Sequence, residues 1–368
     1  MRRPPPHLLH LCLPGDPVQV PGLPADPVQV PGLPRISGEF ARIQHFFAQR
    51  AEQLRSRLAE PAVLGIGDDC ALLAGPARDP GRMLHAISTD MLVAGRHFWP
   101  DVDPSSLGHK SLAVNLSDLA AMGARPRAFT LALALDDRHD DAWLERFCTG
   151  LFALADEYAC ELIGGDTTRG PLCVCITVIG EVDPQRCLRR DRARPGDEIW
   201  VSGALGAAAF ALRHPGLSPD ADAHLLRPQP RVALGAALAA HASSAIDISD
   251  GLLGDLRHIL DRSQVGARID AHRVPVHSAL HKLPLAEQHA LALRGGDDYE
   301  LLFTAPPGAG GALQALGLSL ALPLSPIGLI TGDLARQVVD AQGCVLDMCF
   351  EGFDHFAQSG SNMQLPGV

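Results

Sequence analysis

A nearly uncharged stretch, SLAVNLSDLAAMGA, runs from Ser111 to Ala124 and limits how the chain can fold. Leu112, Leu116 and Leu119 recur at helical spacing, which predicts a buried helix. Asp118 is the single charged residue of the stretch, and the helix offers it no polar face. A carboxylate in such surroundings either loses its charge or lies beside a cation. The alternative is a partly exposed aspartate near a helix end.

Composition narrows the class of protein. The chain has 368 residues, enough for about two domains, and its 46% hydrophobic and 20% charged content is ordinary for a soluble enzyme. A net charge of −11 argues against a nucleic-acid partner and is compatible with bound divalent cations. No apolar run reaches the roughly 18 residues that span a membrane. The nine cysteines form no CxxC pair, so we expect reduced thiols in a cytoplasmic protein.

The first residues differ in composition from the rest. LPGDPVQVPG at 13–22 is followed at once by LPADPVQVPG at 23–32, and ten prolines occur in the first 34 residues. Proline at this density prevents both helices and sheet ladders. We therefore expect residues 1–36 to be a disordered extension, and a start codon other than ATG near residue 30 is a further hypothesis.

Downstream of this extension, strand and helix patterns alternate in two similar halves. Strands are predicted at 83–93, 129–135, 171–182, 266–270 and 327–331, and helices at 106–122 and 140–159. ELIGGDTTRG at 161–170 indicates a strand that runs into a glycine-rich loop. The fold class is therefore α/β (α+β), with an N-terminal domain at 37–184, a C-terminal domain at 195–357 and a junction near 183–195.

Aspartates recur where these predicted elements end. They are Asp68, Asp69, Asp90, Asp118, Asp166, Asp247, Asp250, Asp297 and Asp298. Any one of them is commonly a turn or cap residue, but nine in such positions favour a shared role. Oxygen ligands without His or Cys suit Mg²⁺, Mn²⁺ or Ca²⁺ rather than Zn²⁺. Neighbouring hydroxyls can add ligands or cap locally, and Arg169 and Arg190 are candidate phosphate contacts.

These features predict an enzyme that handles phosphates through several Mg²⁺ ions. The chain lacks the GxxxxGK[ST] sequence of P-loop proteins and the HRDxxxxN loop of protein kinases, so neither class applies.

Several longer motifs follow one another in order after residue 37. They are GEF (38–40), GIGDDCALL (65–73), ISTDMLVAGRHF (87–98), LAVNLSDLAAMGA (112–124), LIGGDTTRG (162–170), AIDISDGLLGDL (245–256), GGDDYELLF (295–303) and GFDHF (352–356). In these motifs the chain resembles the thiamine-monophosphate kinase family of the aminoimidazole-ribonucleotide-synthetase-like superfamily. The resemblance implies direct in-line transfer of phosphate from ATP to thiamine monophosphate, giving thiamine diphosphate. It also implies a homodimer in which the N-terminal sheets of two subunits pair.

The resemblance assigns roles residue by residue. The implied Mg²⁺ ligands are Asp69, Ser88, Thr89, Asp90, Asp118, Asp166, Asp247 and Asp250. The implied ATP contacts are Gly165, Asp166, Arg190 and Ser249, and the implied substrate contacts are His97, Asp297 and Phe353. No general base is assigned, because the accepting phosphate oxygen is already an anion.

The chain departs from the family pattern at two of these positions. The family's usual GGEDYE is GGDDYE here, so the carboxylate of Asp297 is one methylene closer to the backbone. Phe353 can stack on the thiamine rings but has no hydroxyl for a hydrogen bond.

Two alternatives remain open from the sequence. One is another ATP-dependent member of the superfamily, of the aminoimidazole ribonucleotide synthetase, selenophosphate synthetase or hydrogenase-maturation carbamoyl dehydratase type. The other is a non-catalytic acidic Ca²⁺-binding or interaction protein, although no EF-hand loop is present.

Overall fold

The computed structural model describes residues 39–58, 62–74 and 83–352. The predicted extension at 1–36 and the candidate substrate contact Phe353 lie outside these ranges. None of the helices within them is both long and apolar enough to cross a membrane. The cysteines that fall in these ranges are free thiols, several of them buried.

The N-terminal half forms a five-stranded sheet with helices against it. Its helices are α1 (Glu39–Arg42), which continues through a π-helical segment (Ile43–Ala48) into α2 (Gln49–Arg55), then α3 (Pro104–Ala121) and α4 (Asp141–Glu157). Its strands are β1 (Ala71–Ala74), β2 (Leu84–Val93), β3 (Arg125–Leu135), β4 (Glu161–Arg169) and β5 (Cys173–Val182). The spatial order is β1-β2-β5-β3-β4, in which only β3 and β4 are parallel.

The C-terminal half forms a seven-stranded mixed sheet. Its strands are β6 (Glu198–Ser202), β7 (Ser244–Asp247), β8 (Gly266–Asp270), β9 (Leu301–Ala305), β10 (Leu324–Thr331), β11 (Arg336–Val339) and β12 (Val345–Leu346), in the order β12-β11-β8-β10-β6-β9-β7. Its helices are α5 (Ala207–Arg213), α6 (Pro219–Leu226), α7 (Val232–Leu238), α8 (Leu252–Ser263), α9 (Leu285–Arg294) and α10 (Gly310–Ser319).

Helix α3 lies at the centre of the molecule. It begins at an N-cap, since the side chain of Asp103 accepts from Ser106 N at 2.8 Å and Pro104 occupies the first turn. It contacts β2 and β5 of one sheet, β7 of the other, and helices α4 and α7. Because neighbours surround it, Leu112, Leu116 and Leu119 are fully buried, which explains why its sequence carries so little charge.

Close helix packing holds α3 against α4. A Cβ on Gly108 would lie 2.0 Å from the carbonyl oxygen of Phe147, and one on Gly150 would lie 1.8 Å from that of Ser105. Both glycines are therefore required by the approach of the two backbones. This packing fixes α3, and with it Asp118, relative to the first sheet.

The expected strands and helices are present, with one correction. The predicted glycine-rich loop within 161–170 is wrong, because β4 continues as a strand to Arg169 and pairs with β3 along that length. Gly165 adopts φ +148°, and a Cβ there would lie 1.8 Å from the carbonyl oxygen of Leu131. Glycine is thus required at position 165 by the pairing of β4 with β3 and not by a loop.

Candidate active site

Three carboxylates converge where the two halves meet. Oxygen atoms of Asp69, Asp118 and Asp247 all lie within 4.8 Å of one another. Asp69 comes from the turn before β1, Asp118 from α3 and Asp247 from the end of β7. We call these three residues the carboxylate cluster.

Hydroxyl and amide groups hold the cluster in place. Ser117 Oγ donates to Asp247 Oδ2 at 2.6 Å, and the Ser88 hydroxyl donates to Asp118 Oδ2. Asn115 Oδ1 accepts from the backbone N–H of Asp90 at 3.1 Å. These bonds join α3 to β2 and β7, so the buried helix orients the acidic groups of both halves.

The cluster carries more negative charge than its surroundings neutralise. Burial, and then the neighbouring Asp69, raise the pKa of Asp247 to about 8 and that of Asp90 to about 6. Burial, followed by Asp90, Asp247 and Asp69, also raises the pKa of Asp118. A raised carboxylate pKa means that the site favours a bound positive charge, either a proton or a metal ion.

Arg190 supplies part of that positive charge. It contacts Asp69 through two bonds, Nη2 to Oδ1 at 2.7 Å and Nε to Oδ2 at 3.1 Å. Its backbone N–H also donates to Asp68 Oδ2 at 3.2 Å. Burial and the adjacent Asp69 nevertheless raise the pKa of Asp68 to about 7, so one guanidinium does not neutralise the group. Asp68 therefore belongs to this site, although neither its motif nor the family resemblance assigns it a role.

The donor set suits a hard divalent cation. All three cluster residues offer carboxylate oxygens, the Ser88 hydroxyl adjoins them, and neither His nor Cys belongs to the group. Mg²⁺ takes one or two carboxylates and fills its remaining positions with water and phosphate oxygens. The residues present therefore fit magnesium.

A cavity of about 730 Å³ opens beside the cluster, within the size range of small-molecule sites. Candidate residues from every implied role line it, namely Thr89, Asp90, His97, Asp118, Asp247, Ser249, Asp250 and Asp297. His97 Nδ1 accepts from the backbone N–H of Val93 at 3.0 Å, which fixes the imidazole against β2. The structure thus brings most of the sequence-predicted residues to one cavity.

The turn that carries Ser249 and Asp250 is built on a buried acid that sequence reasoning missed. Asp255 Oδ2 accepts from the backbone N–H groups of both residues, each at 3.1 Å. Its place in the first turn of α8 is the available signal, because acids there cap backbone N–H groups.

Gly165 and Asp166 lie away from this group. β4 is an exposed edge strand, and in the sheet order it lies three positions from β2. Strands are about 4.8 Å apart, so the separation along the sheet is roughly 14 Å. Within the part of the chain that the structure describes, Asp166 neither joins the carboxylate cluster nor lines the cavity.

In the same cavity, Asp297 has two partners that sequence reasoning also missed. Lys110 Nζ donates to its Oδ2 at 2.8 Å, and the Tyr299 hydroxyl donates to its Oδ1 at 3.0 Å. A signal for Lys110 was present, since Lys110 and Lys282 are the only lysines of the chain.

A second group of potential metal ligands is explained by hydrogen bonds that stabilise the fold. Atoms of Asp220, His224 and His277 lie within 4.8 Å of one another. His277 Nδ1 accepts from the N–H of Ala279 at 3.3 Å, so its Nε2 carries the proton and donates to Asp220 Oδ2 at 3.0 Å. Both ring nitrogens are therefore already used, and this group ties α6 to the loop at 274–277.

Comparison with family models defines the class of protein. The N-terminal domain model of AIR synthase related proteins matches residues 67–182, and the C-terminal domain model matches residues 194–334. The first match includes all five strands of the N-terminal sheet, and the second includes β6 to β10 of the C-terminal sheet. The chain is thus built from the two domains of the AIR synthase related class.

Individual relatives narrow the class further. The chain is 47% identical over 330 residues to the thiamine-monophosphate kinase of Escherichia coli O157:H7, covering 87% of this chain and 98% of that protein. The crystal structure of thiamine-monophosphate kinase from Stenotrophomonas maltophilia K279a matches with a TM-score of 0.68 and 47% identity, over 79% of this chain and 94% of that one. The AaThiL complex with AMPPCP and TMP matches with a TM-score of 0.70 and 27% identity, over 87% and 97%. The chain belongs to the thiamine-monophosphate kinase family.

Proposed function

We propose that this protein uses ATP to phosphorylate thiamine monophosphate, giving ADP and thiamine diphosphate. Family membership supports this activity, as does the related AaThiL structure that holds AMPPCP and TMP. The observation that carries the proposal is the carboxylate cluster of Asp69, Asp118 and Asp247 beside a cavity of about 730 Å³.

Charge is the main obstacle to this reaction. Donor and acceptor are both phosphates, and at ~4 Å and an effective dielectric constant of ~20 each pair of unit charges costs about 4 kcal/mol. Two groups near −2 make four such pairs, a repulsion of about 15 kcal/mol. Arg190 alone is too little to offset this, and several Mg²⁺ ions bound at the cluster would supply the missing positive charge.

The chain's own residues hold and orient the reactants. Asp69, Asp118 and Asp247, with Asp90, Ser88 and Thr89 of β2, would hold Mg²⁺, and Asp250 would hold a further ion. Ser249 and Arg190 would contact ATP, while His97 and Asp297 would contact thiamine monophosphate. The Ser117 and Ser88 hydroxyls fix the carboxylates before substrates arrive, so little reorganisation is needed during transfer.

We also propose that the protein is a homodimer whose active sites use residues of both subunits. β4 is an exposed edge strand with Ile163 54% exposed, and such edges invite pairing with another chain. Gly165 and Asp166 lie roughly 14 Å along the sheet from β2 in their own subunit. Pairing of the N-terminal sheets would allow them to serve the partner's ATP site instead. We further propose that the protein is located in the cytoplasm.

An assay of thiamine diphosphate formation tests the activity. Purified protein with ATP, Mg²⁺ and thiamine monophosphate should form thiamine diphosphate and ADP in equal amounts, and EDTA in excess of Mg²⁺ should stop the reaction. Unphosphorylated thiamine, formylglycinamidine ribonucleotide and selenide serve as alternative acceptors. ATP consumption with one of these and none with thiamine monophosphate would overturn the proposal in favour of another superfamily activity.

A further inference from the structure

Lys110 is a buried cation in the central helix that the proposed mechanism does not use. It is only 4% exposed, although lysine is among the residues least often buried. An ammonium group in this position is costly unless a carboxylate pairs with it. Lys110 Nζ meets that need by donating to Asp297 Oδ2 at 2.8 Å.

The carboxylate of Asp297 is fixed from a second side by Tyr299, whose hydroxyl donates to Oδ1 at 3.0 Å. Both residues adopt left-handed backbone conformations, with φ +67° at Asp297 and φ +49° at Tyr299. The same segment bonds to the turn that follows β7, through Asp297 N to Ser249 O and Tyr299 N to Ile248 O, each at 2.8 Å. Strained backbone held in place by its surroundings is typical of functional sites.

The exposed fractions of the Lys110 and Asp297 side chains show which of the two faces the cavity. The side chain of Lys110 is 5% exposed and that of Asp297 is 35% exposed, and both line the cavity. The ammonium thus lies behind the carboxylate, which faces the space where a ligand would bind. Each oxygen of a carboxylate has two acceptor positions, so one on each oxygen is left for a ligand after Lys110 and Tyr299 are satisfied.

Lys110, the partner of this carboxylate, leaves α3 about two turns before Asp118. Lys110 and Asp118 are eight residues apart, about 12 Å along a helix axis. Phosphates would lie at the Asp118 end, beside the carboxylate cluster. Asp297 is therefore placed for the organic end of the acceptor, where N–H groups and cationic rings are the partners of a carboxylate.

We propose that Lys110 is a positioning residue for acceptor recognition. It holds the Asp297 carboxylate, together with Tyr299, in the orientation that accepts hydrogen bonds from the amino-substituted, cationic ring system of the acceptor. This role rests on the proposed function, and it separates acceptor binding from the chemistry at the carboxylate cluster.

Steady-state kinetics of Lys110→Met test the proposal. Methionine keeps the length of the side chain and removes the charge, so we expect the KM for thiamine monophosphate to rise about 10- to 100-fold, as befits a disturbed charged hydrogen bond. The kcat and the KM for ATP should stay within about twofold. Lys282→Met changes the other lysine, which is exposed, and should leave all three constants at wild-type values.

A double-mutant cycle on Lys110 and Asp297 distinguishes a positioning role of Lys110 from a general structural effect. Asp297→Asn should raise the same KM, and Lys110→Met combined with Asp297→Asn should be no worse than the more affected single variant. If Lys110→Met does not fold, Asp297→Asn carries the KM test. An unchanged KM for thiamine monophosphate in a folded variant would overturn the proposal, as would a parallel fall in kcat.

Lysine NMR supplies a readout that does not depend on turnover. Protein labelled with ¹³C at the lysine ε position should give two signals, and Lys282→Met identifies the one from Lys110. Thiamine monophosphate should shift that signal, whereas Mg²⁺ with an ATP analogue alone should not. No shift with saturating thiamine monophosphate in an active wild-type enzyme contradicts the role of Lys110, while an enzyme inactive toward thiamine monophosphate contradicts the proposed function itself.

Discussion

Two positions on helix α3, Lys110 and Asp118, lie beside carboxylates whose charge is balanced in opposite ways. Near Lys110, Asp297 is paired with an ammonium and a tyrosine hydroxyl, so its charge is balanced by the protein itself. Near Asp118, the guanidinium of Arg190 forms ion pairs with Asp68 and Asp69, and burial nevertheless raises the pKa of Asp247 to about 8. The charge of the carboxylate near Lys110 is balanced without a ligand, whereas the carboxylates near Asp118 require the positive charge of a bound ion.

This difference assigns the two positions to different ligands. A preformed, neutralised carboxylate suits recognition of an organic molecule, because it is rigid and pays little desolvation when the ligand binds. An under-neutralised cluster suits metal ions that arrive with a phosphate group. One helix thus aligns acceptor recognition with phosphate chemistry.

The largest expected effect follows from removing a charge at the cluster. Asp118→Asn or Asp247→Asn should lower kcat about 10²- to 10³-fold, comparable to the loss of a main electrostatic group in other enzymes. Stability without metal should be equal or higher, because the mutation removes a carboxylate that the fold destabilises. Activity and thermal unfolding are measured in parallel, with the exposed Asp261→Asn as control.

If these aspartates were ordinary salt-bridge or capping residues, the pattern would invert. The variants would then lose stability while each folded molecule kept its activity.

Mixing inactive variants tests the place of Asp166 in the site. Asp166→Asn and Asp118→Asn should each be inactive alone, since one impairs the partner's site and the other its own. Unfolded and refolded together at equal amounts, they should recover about a quarter of wild-type activity, because half of the random dimers contain one intact site of two. Mixtures that stay inactive would mean that both residues act within a single subunit.

The raised pKa values at the carboxylate cluster predict that the free energy of unfolding depends on pH. The pKa of Asp247 is 3.8 in the unfolded chain and about 8 when folded, and that of Asp90 rises from 3.8 to about 6. Between these values the folded form holds protons that the unfolded form has released, so the free energy of unfolding should fall as pH rises from about 4 to 8.

Chemical unfolding at pH 5 and pH 7.5 measures this trend. In EDTA the protein should be less stable at the higher pH, and Mg²⁺ should reverse the loss by replacing the protons. Asp247→Asn should flatten the dependence. A metal-free stability that rises over the same range would contradict the charge balance described here.

The smallest effect is expected at the histidine group. Asp220→Ala removes the acceptor of the His277 Nε2–H, and because Asp220 is 72% exposed the cost should be at most about 1 kcal/mol. The kcat and both KM values should not change. Activation by Zn²⁺ that disappears in this variant would instead show that Asp220, His224 and His277 form a metal site.

The sequence predicted the cluster better than it predicted the rest of the site. Asp118 was recognisable because a lone charge in an apolar helix needs a partner, and Asp69 and Asp247 were recognisable because aspartates recur where predicted elements end. The ion pair of Lys110 joins residues 187 positions apart, which periodicity cannot detect.

The mistaken prediction of a glycine-rich loop within 161–170 has a comparable cause. Paired glycines ordinarily break a strand, but pairing with β3 keeps Gly165 within the strand at φ +148°, a conformation that favours glycine. Only the tertiary contact with the Leu131 backbone decides between loop and strand there, and it also decides that Asp166 lies on an exposed edge. The role of Asp166 therefore could not be placed from a single chain.

Direct metal binding is the sharpest test of the central claim that the carboxylate cluster holds divalent cations. Electron paramagnetic resonance of Mn²⁺, titrated into the protein with and without an ATP analogue, counts bound ions without relying on turnover. We expect saturable binding that strengthens with nucleotide, is lost in Asp118→Asn and persists in Asp261→Asn. Equal Mn²⁺ binding by wild type and by folded Asp118→Asn protein would contradict the claim.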